Sequence, residues 1–284
     1  MLDFVKSVQD LVNILPFIRK YSGKVMVIKY GGAAMISEDL KRKVLDDVLF
    51  LYSIGIKLVL IHGGGPVIDQ WLNKCGIKPQ FRDGIRVTDA ETMEIVEMVL
   101  AGKVNKNLVA LLNKSHSYSI GLSGKDGNLI NASSLSDVEN DLVGKVNSVK
   151  IDVLNLLLNS SYIPVVASVA ADVNGQSYNI NADTVAGAIA KSLNAEKLIL
   201  LTDTPGIMYN VSDKNTLIKS LTIDQANCLI KKRVISGGMI PKVDCCIDAL
   251  QLGVKSAHII DGRIEHSLLL EILTLDRIGS MLML

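Results

Sequence analysis

Residues 24–32 read Lys-Val-Met-Val-Ile-Lys-Tyr-Gly-Gly, and residues 57–66 read Lys-Leu-Val-Leu-Ile-His-Gly-Gly-Gly-Pro. In both stretches an apolar run ends in consecutive glycines, and a helical spacing of apolar residues follows, at 38–54 and at 67–72. Continuous apolar strands between helices are typical of a parallel sheet that is covered on both faces. These two stretches therefore predict an α/β fold with a mainly parallel central sheet.

The same alternation continues along the chain. Further strands are predicted at 162–168, 197–202 and 257–260, the last of the chain, and further helices at 89–113, 185–193 and 241–252. Residues 117–150 differ, because Gly, Ser, Asn and Asp dominate there. In that segment Lys125-Asp-Gly-Asn128 predicts a hairpin turn, since Asp-Gly supplies the positive φ that tight turns need. A boundary between two lobes is predicted near residue 195.

Composition excludes several classes of protein. The chain has 284 residues, of which 49% are apolar, enough to bury a large core. Lys and Arg total 30 and Asp and Glu total 29, which argues against a nucleic-acid binder with a general basic surface. No uncharged apolar run approaches the ~20 residues of a membrane span. The first residues lack the order of a signal peptide, so we expect neither secretion nor membrane insertion.

The first twenty residues carry an apolar helical stripe ahead of the first strand. Two interpretations stay open, a helix packed on its own core or an arm for oligomerisation. The stripe consists of Phe4, Val8, Leu11, Val12, Leu15 and Ile18.

The two glycine turns predict an anion site. Consecutive backbone N–H groups at a helix start bind anions, and glycine lets the backbone approach a ligand closely. Neither turn has the Gly-Lys-Ser/Thr ending of a Walker A loop, and neither is Gly-x-Gly-x-x-Gly. Because the turns follow neighbouring strands, Gly31, Gly32 and Gly63–Gly65 are expected to share one site.

Two lysines and an arginine are candidate cations for that site. Lys29 ends an apolar strand, at the carboxyl edge where α/β ligand sites lie, although a strand-end lysine can also reach solvent. Lys242 follows Pro241 at a helix start, where the dipole opposes a cation unless a phosphate or solvent compensates. Arg86 could clamp a carboxylate in a bidentate fork or lie on the surface.

Polar side chains alternate with apolar ones in Asn179-Ile-Asn181-Ala-Asp183. Period two would put all three on one face, although Asp183 could simply cap the following helix. We find no Cys/His metal cluster, no Gly-x-Ser-x-Gly and no paired carboxylates, and the four histidines are scattered at 62, 116, 258 and 266. Lysines, glycine turns, an aspartate and an arginine suit phosphoryl transfer, in which positioning and charge neutralisation dominate.

Five motifs resemble the N-acetylglutamate kinases of the amino-acid kinase family: residues 28–32, 62–66, 84–88, 179–183 and 237–242. Residues 198–206 and 258–263 look closest to the cyanobacterial and plastid-type members. The resemblance implies a three-layer αβα sandwich, the carbamate kinase-like fold. It also implies transfer of the γ-phosphoryl of ATP to the side-chain carboxylate of N-acetyl-L-glutamate, giving N-acetyl-L-glutamyl 5-phosphate in arginine biosynthesis.

The resemblance also implies roles for individual residues. Lys29 and Lys242 would neutralise the transferred phosphoryl from opposite sides, with Asp183 orienting both. The glycines at 31, 32, 64 and 65 would offer N–H groups to phosphoryl and substrate, and Arg86 and Asn179 would hold the substrate's α-carboxylate. The nucleotide pocket would be lined by Asp203, Gly206, Ser236 and Gly238. Magnesium would arrive with ATP, held by phosphate oxygens and water rather than by a protein site.

The implied organisation is an N-terminal helical arm at 1–20, an acyl-amino-acid-binding lobe at 21–195 and a nucleotide-binding lobe at 196–284. The arm would interlace dimers into a hexamer, a trimer of dimers. L-Arginine would inhibit by binding near His258 and Glu271, where Arg277, a bulky cation in place of the family's glycine, would oppose it. The signal protein PII would contact a loop at Arg233, which is otherwise a solvated charge.

Three alternatives remain: another amino-acid kinase, a non-catalytic arginine sensor on the same fold, and a dinucleotide oxidoreductase. Arg86 and Asn179 argue against the first, the two lysines and Asp183 against the second, and the missing fingerprint against the third. We expect a plastid stromal protein if the gene is plastid-encoded, and a cytoplasmic one otherwise.

Overall fold

The structure is a computed structural model that describes residues 2–35, 37–82, 84–114, 118–136, 138 and 140–284. His116 and Asp83 lie outside the described residues, and so do the side chains of Phe4, Val8 and Leu11.

Strands and helices alternate over the described residues. The strands are β1 (Val25–Tyr30), β2 (Lys57–His62), β3 (Phe81–Arg82), β4 (Ile85–Arg86), β5 (Ser119–Ser123), β6 (Ile130–Ser134), β7 (Val143–Val149), β8 (Ile163–Ala167), β9 (Val169–Ala171), β10 (Ser177–Ile180), β11 (Lys197–Thr202), β12 (Ser220–Thr222), β13 (Ser256–Asp261) and β14 (Ser280–Met283). The α-helices are α1 (Leu2–Tyr21), α2 (Glu38–Ser53), α3 (Gly65–Lys74), α4 (Ala90–Glu97), α5 (Asn105–Leu112), α6 (Asp152–Asn159), α7 (Ala182–Ser192), α8 (Ile223–Lys231), α9 (Ile240–Gln251) and α10 (Ser267–Leu273).

Eight strands form the central sheet, in the order β12-β14-β13-β11-β1-β2-β8-β5. Neighbouring strands are parallel except for the antiparallel pair β13–β14. Side chains alternate between the two faces of β1, so Met26 and Ile28 join one apolar core and Val27 the other. Helices α2, α4, α5 and α10 cover the first face, and α6, α7, α8 and α9 cover the second. The predicted three-layer αβα sandwich with a mainly parallel sheet is confirmed.

A small closed barrel of four strands, β10-β7-β6-β9, holds much of the Gly-, Ser- and Asn-rich segment. The predicted hairpin at 125–128 is wrong, because β5 pairs with β8 in the central sheet whereas β6 pairs with β7. Gly127 has the expected positive φ of 59°, within a 3₁₀ turn. The local turn was therefore right, but turn chemistry does not decide which sheet the next strand joins. The strand at 257–260 is also not the last, since β14 follows it.

The helix predicted over 89–113 is present as one continuous run from Ala90 to Leu112, with a π-helical segment, Met98–Val104, between α4 and α5. Asp89 caps it by accepting a hydrogen bond from Thr92 N at 2.8 Å. The π-helical segment, which the apolar spacing did not predict, brings Leu100 and Val104 against the second glycine turn.

Only part of the predicted N-terminal stripe can be followed. Val12 and Leu15 are 48% and 43% exposed, whereas Ile14 and Phe17 pack against the core. The core-facing side of α1 is therefore not the predicted stripe over this stretch, and the interpretation that Val12 and Leu15 pack on the core is wrong. The lobe boundary predicted near 195 falls between α7 and β11, and the division into lobes stays a prediction. Over the described residues no helix is both long enough and apolar enough to cross a membrane.

Candidate active site

Asp183 joins the two predicted lysines. Its Oδ1 lies 3.0 Å from Lys29 Nζ, at the carboxyl end of β1, and its Oδ2 lies 2.6 Å from Lys242 Nζ, in the first turn of α9. Lys29 and Asp183 are buried, and Lys242 is half-buried. Lys29, Asp183 and Lys242 come from distant parts of the sequence, and together they form a row of cation, carboxylate and cation at one edge of the sheet. We call these three residues the charged row.

The way α7 begins leaves the Asp183 carboxylate available. β10 ends at Ile180, and Asn181 is the helix cap, its Oδ1 accepting from Asp183 N at 2.8 Å and from Thr184 N at 3.4 Å. The predicted single face of Asn179, Asn181 and Asp183 is therefore wrong, and Asp183 is not the cap. Period two applies only while the strand continues, and the strand stops before Asn181.

The two lysines keep the buried Asp183 carboxylate charged. Burial alone would raise the pKa of Asp183, but the ammonium groups of Lys29 and Lys242 outweigh it and hold the pKa below its ordinary value. The carboxylate also compensates for a cation at the start of α9, where the helix dipole opposes it. The site therefore carries two ammonium groups against one carboxylate, which favours an added anion.

The glycine turns flank this row at the ends of β1 and β2. A Cβ on Gly31 would come within 2.7 Å of Lys29 Nζ, and one on Gly64 within 2.7 Å of Leu100 Cδ2. Gly64 precedes α3 and offers no side-chain cap, so the first N–H groups of that helix face the site. An added Cβ at Gly65 would meet nothing within 4 Å. Close packing thus explains glycine at 31 and 64, and the open approach at 65 suits a ligand.

Arg86 is only 7% exposed, so its interpretation as a surface residue is wrong. Its Nη2 lies 2.7 Å from Asp69 Oδ1, and the guanidinium lies over the Phe81 ring at 4.9 Å. Nη1 is buried and makes no hydrogen bond to any described residue. Asp69 therefore binds the Nη2 side of the guanidinium group, and Nη1 remains available to a ligand carboxylate. Sequence reasoning missed Asp69, whose only signal was an acidic residue in the helix that follows the second glycine turn.

Asn179 is linked to Arg86 through Thr88. The Asn179 amide donates to Thr88 Oγ1 at 3.1 Å, and Thr88 Oγ1 donates to the Arg86 carbonyl at 3.0 Å. Thr88 is fully buried, and through these two hydrogen bonds it joins the barrel strand β10 to β4, the strand that carries Arg86. The two residues predicted to share a substrate carboxylate therefore belong to one hydrogen-bonded unit.

The four predicted nucleotide residues line one cavity of about 310 Å³. Asp203, Gly206, Ser236 and Gly238 surround it together with Lys242, which also belongs to the charged row. Met239, in the predicted loop, also lines it, and the rest of the wall is largely apolar and was not predicted: Ile207, Met208, Val211, Val234 and Ile235. An apolar cavity that also contains an ammonium group in its wall suits a nucleobase with attached phosphates. Among the described residues no group of three or more His, Cys, Asp or Glu side chains is placed to hold a metal ion.

The predicted effector residues form a separate buried cluster. His258 Nδ1 lies 2.7 Å from Glu271 Oε1, and Glu271 Oε2 accepts from the N–H groups of Ile278 and Gly279 at 3.0 and 3.1 Å. Lys197 Nζ lies 2.9 Å from His258 Nε2 and was missed by sequence reasoning. Burial lowers the pKa of His258 to about 4 and that of Lys197 to about 8.

Lys197 begins β11, where it is in register with Met26, whereas the charged row lies where the strands end, so this cluster is separate from the row. Arg233, in the loop after α8, is exposed and has a positive φ of 58°.

The chain is similar to known proteins over nearly its whole length. The model of the amino acid kinase family matches residues 24–261. An acetylglutamate kinase of Gracilaria tenuistipitata var. liui is 61% identical over 285 residues, covering 100% of both chains. One of Thermosynechococcus vestitus is 55% identical over 282 residues, covering 99% of this chain and 96% of its own.

Solved structures agree on the fold. The N-acetylglutamate synthase of Neisseria gonorrhoeae complexed with coenzyme A and N-acetyl-glutamate superposes with a TM-score of 0.85 at 25% identity. The match covers 98% of this chain and 63% of the synthase. Carbamate kinase of Giardia lamblia bound to AMP-PNP superposes with a TM-score of 0.65 at 17% identity, over 92% of this chain and 98% of that enzyme, which shows a shared fold.

Proposed function

The chain belongs to the amino acid kinase family, and we propose that it transfers the γ-phosphoryl group of ATP to the side-chain carboxylate of N-acetyl-L-glutamate. The product would be N-acetyl-L-glutamyl 5-phosphate, an intermediate of arginine biosynthesis. The observation that carries this proposal is the Lys29–Asp183–Lys242 row, with its glycine turns and its neighbouring carboxylate fork. Relatives named acetylglutamate kinase, which match over their full length, support the choice of substrate.

In the proposed reaction the row stabilises charge during transfer. The acceptor carboxylate and the phosphoryl group are both anionic, so their approach is opposed by repulsion. Lys29 and Lys242 would face the phosphoryl oxygens from two sides, and Asp183 would keep both ammonium groups in place before the substrates arrive. Such preorganised charge needs little rearrangement at the moment of transfer. N–H groups at Gly31, Gly32, Gly64 and Gly65 would add neutral donors.

The acceptor would be oriented by its α-carboxylate. The free edge of the Arg86 guanidinium, with Nη1 buried and unpaired among the described residues, is the donor for it. Asn179 would contribute from β10. Fixing this carboxylate leaves the side-chain carboxylate to reach the row, which is how an acyl amino acid would be distinguished from carbamate or UMP.

The nucleotide would occupy the cavity at Asp203, Gly206, Ser236 and Gly238, with its phosphates directed at Lys242. Mg²⁺ would neutralise the phosphate oxygens and would be held mainly by them and by water.

We further propose regulation and assembly of this kinase. L-Arginine would bind at His258 and Glu271, since a structure of the Neisseria synthase at 25% identity is described as complexed with L-arginine. The protein would be a hexamer built as a trimer of dimers through α1, and PII would dock at Arg233. Relatives from red algae and cyanobacteria favour a plastid stromal or cytoplasmic location.

The decisive measurement is ADP release from ATP with N-acetyl-L-glutamate, compared with glutamate, aspartate, carbamate and UMP, each with and without L-arginine. We expect turnover with N-acetyl-L-glutamate alone and suppression by arginine. Turnover with a different acceptor would overturn the substrate assignment, and turnover that arginine does not suppress would remove the effector site. No turnover with any acceptor, together with arginine binding, would favour the non-catalytic sensor.

A further inference from the structure

His62 is a fully buried histidine beside the second glycine turn to which the proposed chemistry gives no role. It is the last residue of β2, and its Nδ1 lies 2.9 Å from the carbonyl oxygen of Gly63, the next residue. Burial lowers the pKa of His62 to about 4, so the ring is neutral at pH 7. A neutral imidazole has one donor and one acceptor nitrogen, and the two cannot exchange roles without a change of tautomer.

Asn105 decides which tautomer is present. Its side-chain amide nitrogen lies 3.1 Å from His62 Nε2, 2.8 Å from the Val165 carbonyl and 3.2 Å from the Leu122 carbonyl. The amide oxygen accepts from Lys106 Nζ at 3.1 Å, which orients the amide group. The amide nitrogen has two hydrogens for three acceptors and no lone pair to accept an N–H from Nε2, whereas the Gly63 carbonyl beside Nδ1 can only accept. The proton is therefore on Nδ1, and it is donated to the Gly63 carbonyl.

The peptide plane carries this bond to the reaction site. In a trans peptide the carbonyl of Gly63 and the N–H of Gly64 point in opposite directions. A carbonyl held towards the buried imidazole therefore directs the Gly64 N–H away from the core, towards the start of α3. No hydrogen bond among the described residues uses that N–H.

A second contact holds the same turn from behind. Leu100 Cδ2 and Val104 Cγ2, both from the π-helical segment, lie 2.7 and 3.2 Å from where a Gly64 Cβ would stand. Asn105 is the residue immediately after that segment and is itself fully buried. One stretch of helix therefore supplies both the apolar backing of Gly64 and the amide that selects the His62 tautomer.

We propose that His62 is a positioning residue, which in its Nδ1–H tautomer, selected by Asn105, aims the Gly64 N–H at the phosphoryl or substrate oxygens. The proposal deepens the proposed kinase function and rests on it for the identity of the anion. His62 does not exchange a proton during turnover. It acts through the Gly63–Gly64 peptide, so its loss misdirects a donor rather than removing one.

The first test is the tautomer in the full chain, read from ¹⁵N chemical shifts of labelled histidine. The chain has four histidines, so a His62→Asn spectrum identifies the resonance. We expect a protonated Nδ1, an unprotonated Nε2 and no titration between pH 5 and pH 8. A proton on Nε2, or a charged ring at pH 7, would overturn the proposal without any activity measurement.

The second test separates positioning from stability. The Asn side chain has an N–H near the position of Nδ1, whereas the Leu side chain has none. His62→Leu should therefore lower kcat by about 10-fold or more, and the kcat of His62→Asn should stay within about 3-fold of the wild-type value. Both variants should show little change in the KM for ATP. Equal kcat values for the two variants, whatever their Tm, would overturn the positioning role.

Asn113→Ala is the matched control on the other end of α5. It removes bonds of 2.7 and 2.9 Å to Ser119 that do not lead to the glycine turn. We expect it to lower Tm and leave kcat unchanged, whereas Asn105→Ala should lower both. Equal kcat losses in the two Asn variants would indicate general destabilisation and overturn the proposal. A wild-type protein that is inactive with every acceptor would instead overturn the kinase function. The ¹⁵N measurement of the His62 tautomer would still test the positioning proposal in that case.

Discussion

At the scale of single residues, the site depends on which buried charged groups already have all their partners and which have a donor left for a ligand. Asp183 uses each carboxylate oxygen on one lysine, so it is an internal counter-ion. Arg86 is half used, since Asp69 takes Nη2 and Nη1 has no partner among the described residues. The charged row therefore favours an anion through its net charge, and the arginine favours a carboxylate through its free edge.

Lys242→Ala should lower kcat by about 100-fold or more, as the loss of an oxyanion donor does, because one of the two ammonium groups is removed. The readout is steady-state ADP release together with Tm. Lys255→Ala, at an exposed position before β13, serves as the control for loss of one positive charge. A near-normal rate in Lys242→Ala would remove this residue from the mechanism.

Arg86→Lys should raise the KM for N-acetyl-L-glutamate by about 10- to 100-fold with a smaller change in kcat, because an ammonium group keeps the charge but loses the fork. The α-carboxylate is bound equally before and during transfer, so its loss acts mainly on KM. Arg82→Lys, on the exposed strand β3, is the control. An effect confined to the KM for ATP would contradict the placement of Arg86.

At the scale of elements, the row requires α7 and α9 to approach closely. Gly187 of α7 faces Cys245 of α9, and an added Cβ would come 2.6 Å from the Cys245 sulfur. Cys245 Sγ also donates to the Asp183 carbonyl at 3.0 Å, one turn beyond Lys242. Glycine at 187 therefore sets the spacing of the helices that carry Asp183 and Lys242.

Gly187→Ala should destabilise the protein by about 1–3 kcal/mol through overpacking, measured by denaturant unfolding. It should also lower kcat, because α9 and Lys242 would shift away from Asp183. The double variant Gly187→Ala with Cys245→Ala restores space and should recover much of both losses. Gly102→Ala, where an added Cβ meets nothing within 4 Å, should not destabilise. Purely additive losses in the double variant would contradict this contact.

At the scale of the whole molecule, α1 presents two faces. Ile14 and Phe17 pack on the core of the chain, while Val12 and Leu15 are exposed. Truncation of residues 1–20 would remove both faces at once, so it would mix assembly with stability. Substitution of the exposed face alone separates the two.

Val12→Glu combined with Leu15→Glu should convert the proposed hexamer into dimers, because a charge cannot be buried unpaired in an apolar contact. The Tm of the dissociated form should change little. Light scattering measures the mass, and Leu252→Glu, at an exposed position after α9, is the control. Persistence of hexamers in the double variant would exclude assembly through this face of α1.

Local pattern was sufficient for much of the molecule. Apolar runs that end in glycine located β1, β2 and the site edge, because strand ends and turns depend on neighbouring residues. The motif resemblance also named five site residues, which the structure brings together in two groups. Lys29, Asp183 and Lys242 form ion pairs, and Arg86 and Asn179 are linked through Thr88.

Only the tertiary structure decided which partner each polar or charged side chain of the site binds. That Asn181 rather than Asp183 caps α7, that Asp69 holds Arg86, and that Asn105 selects the His62 tautomer depend on pairs distant in sequence or on where a strand stops. The same holds for β5 and β6, which separate into different sheets after a turn that looked like a hairpin. A sequence pattern encodes the periodicity of one element, but the partner of a buried polar group is set by the packing of several.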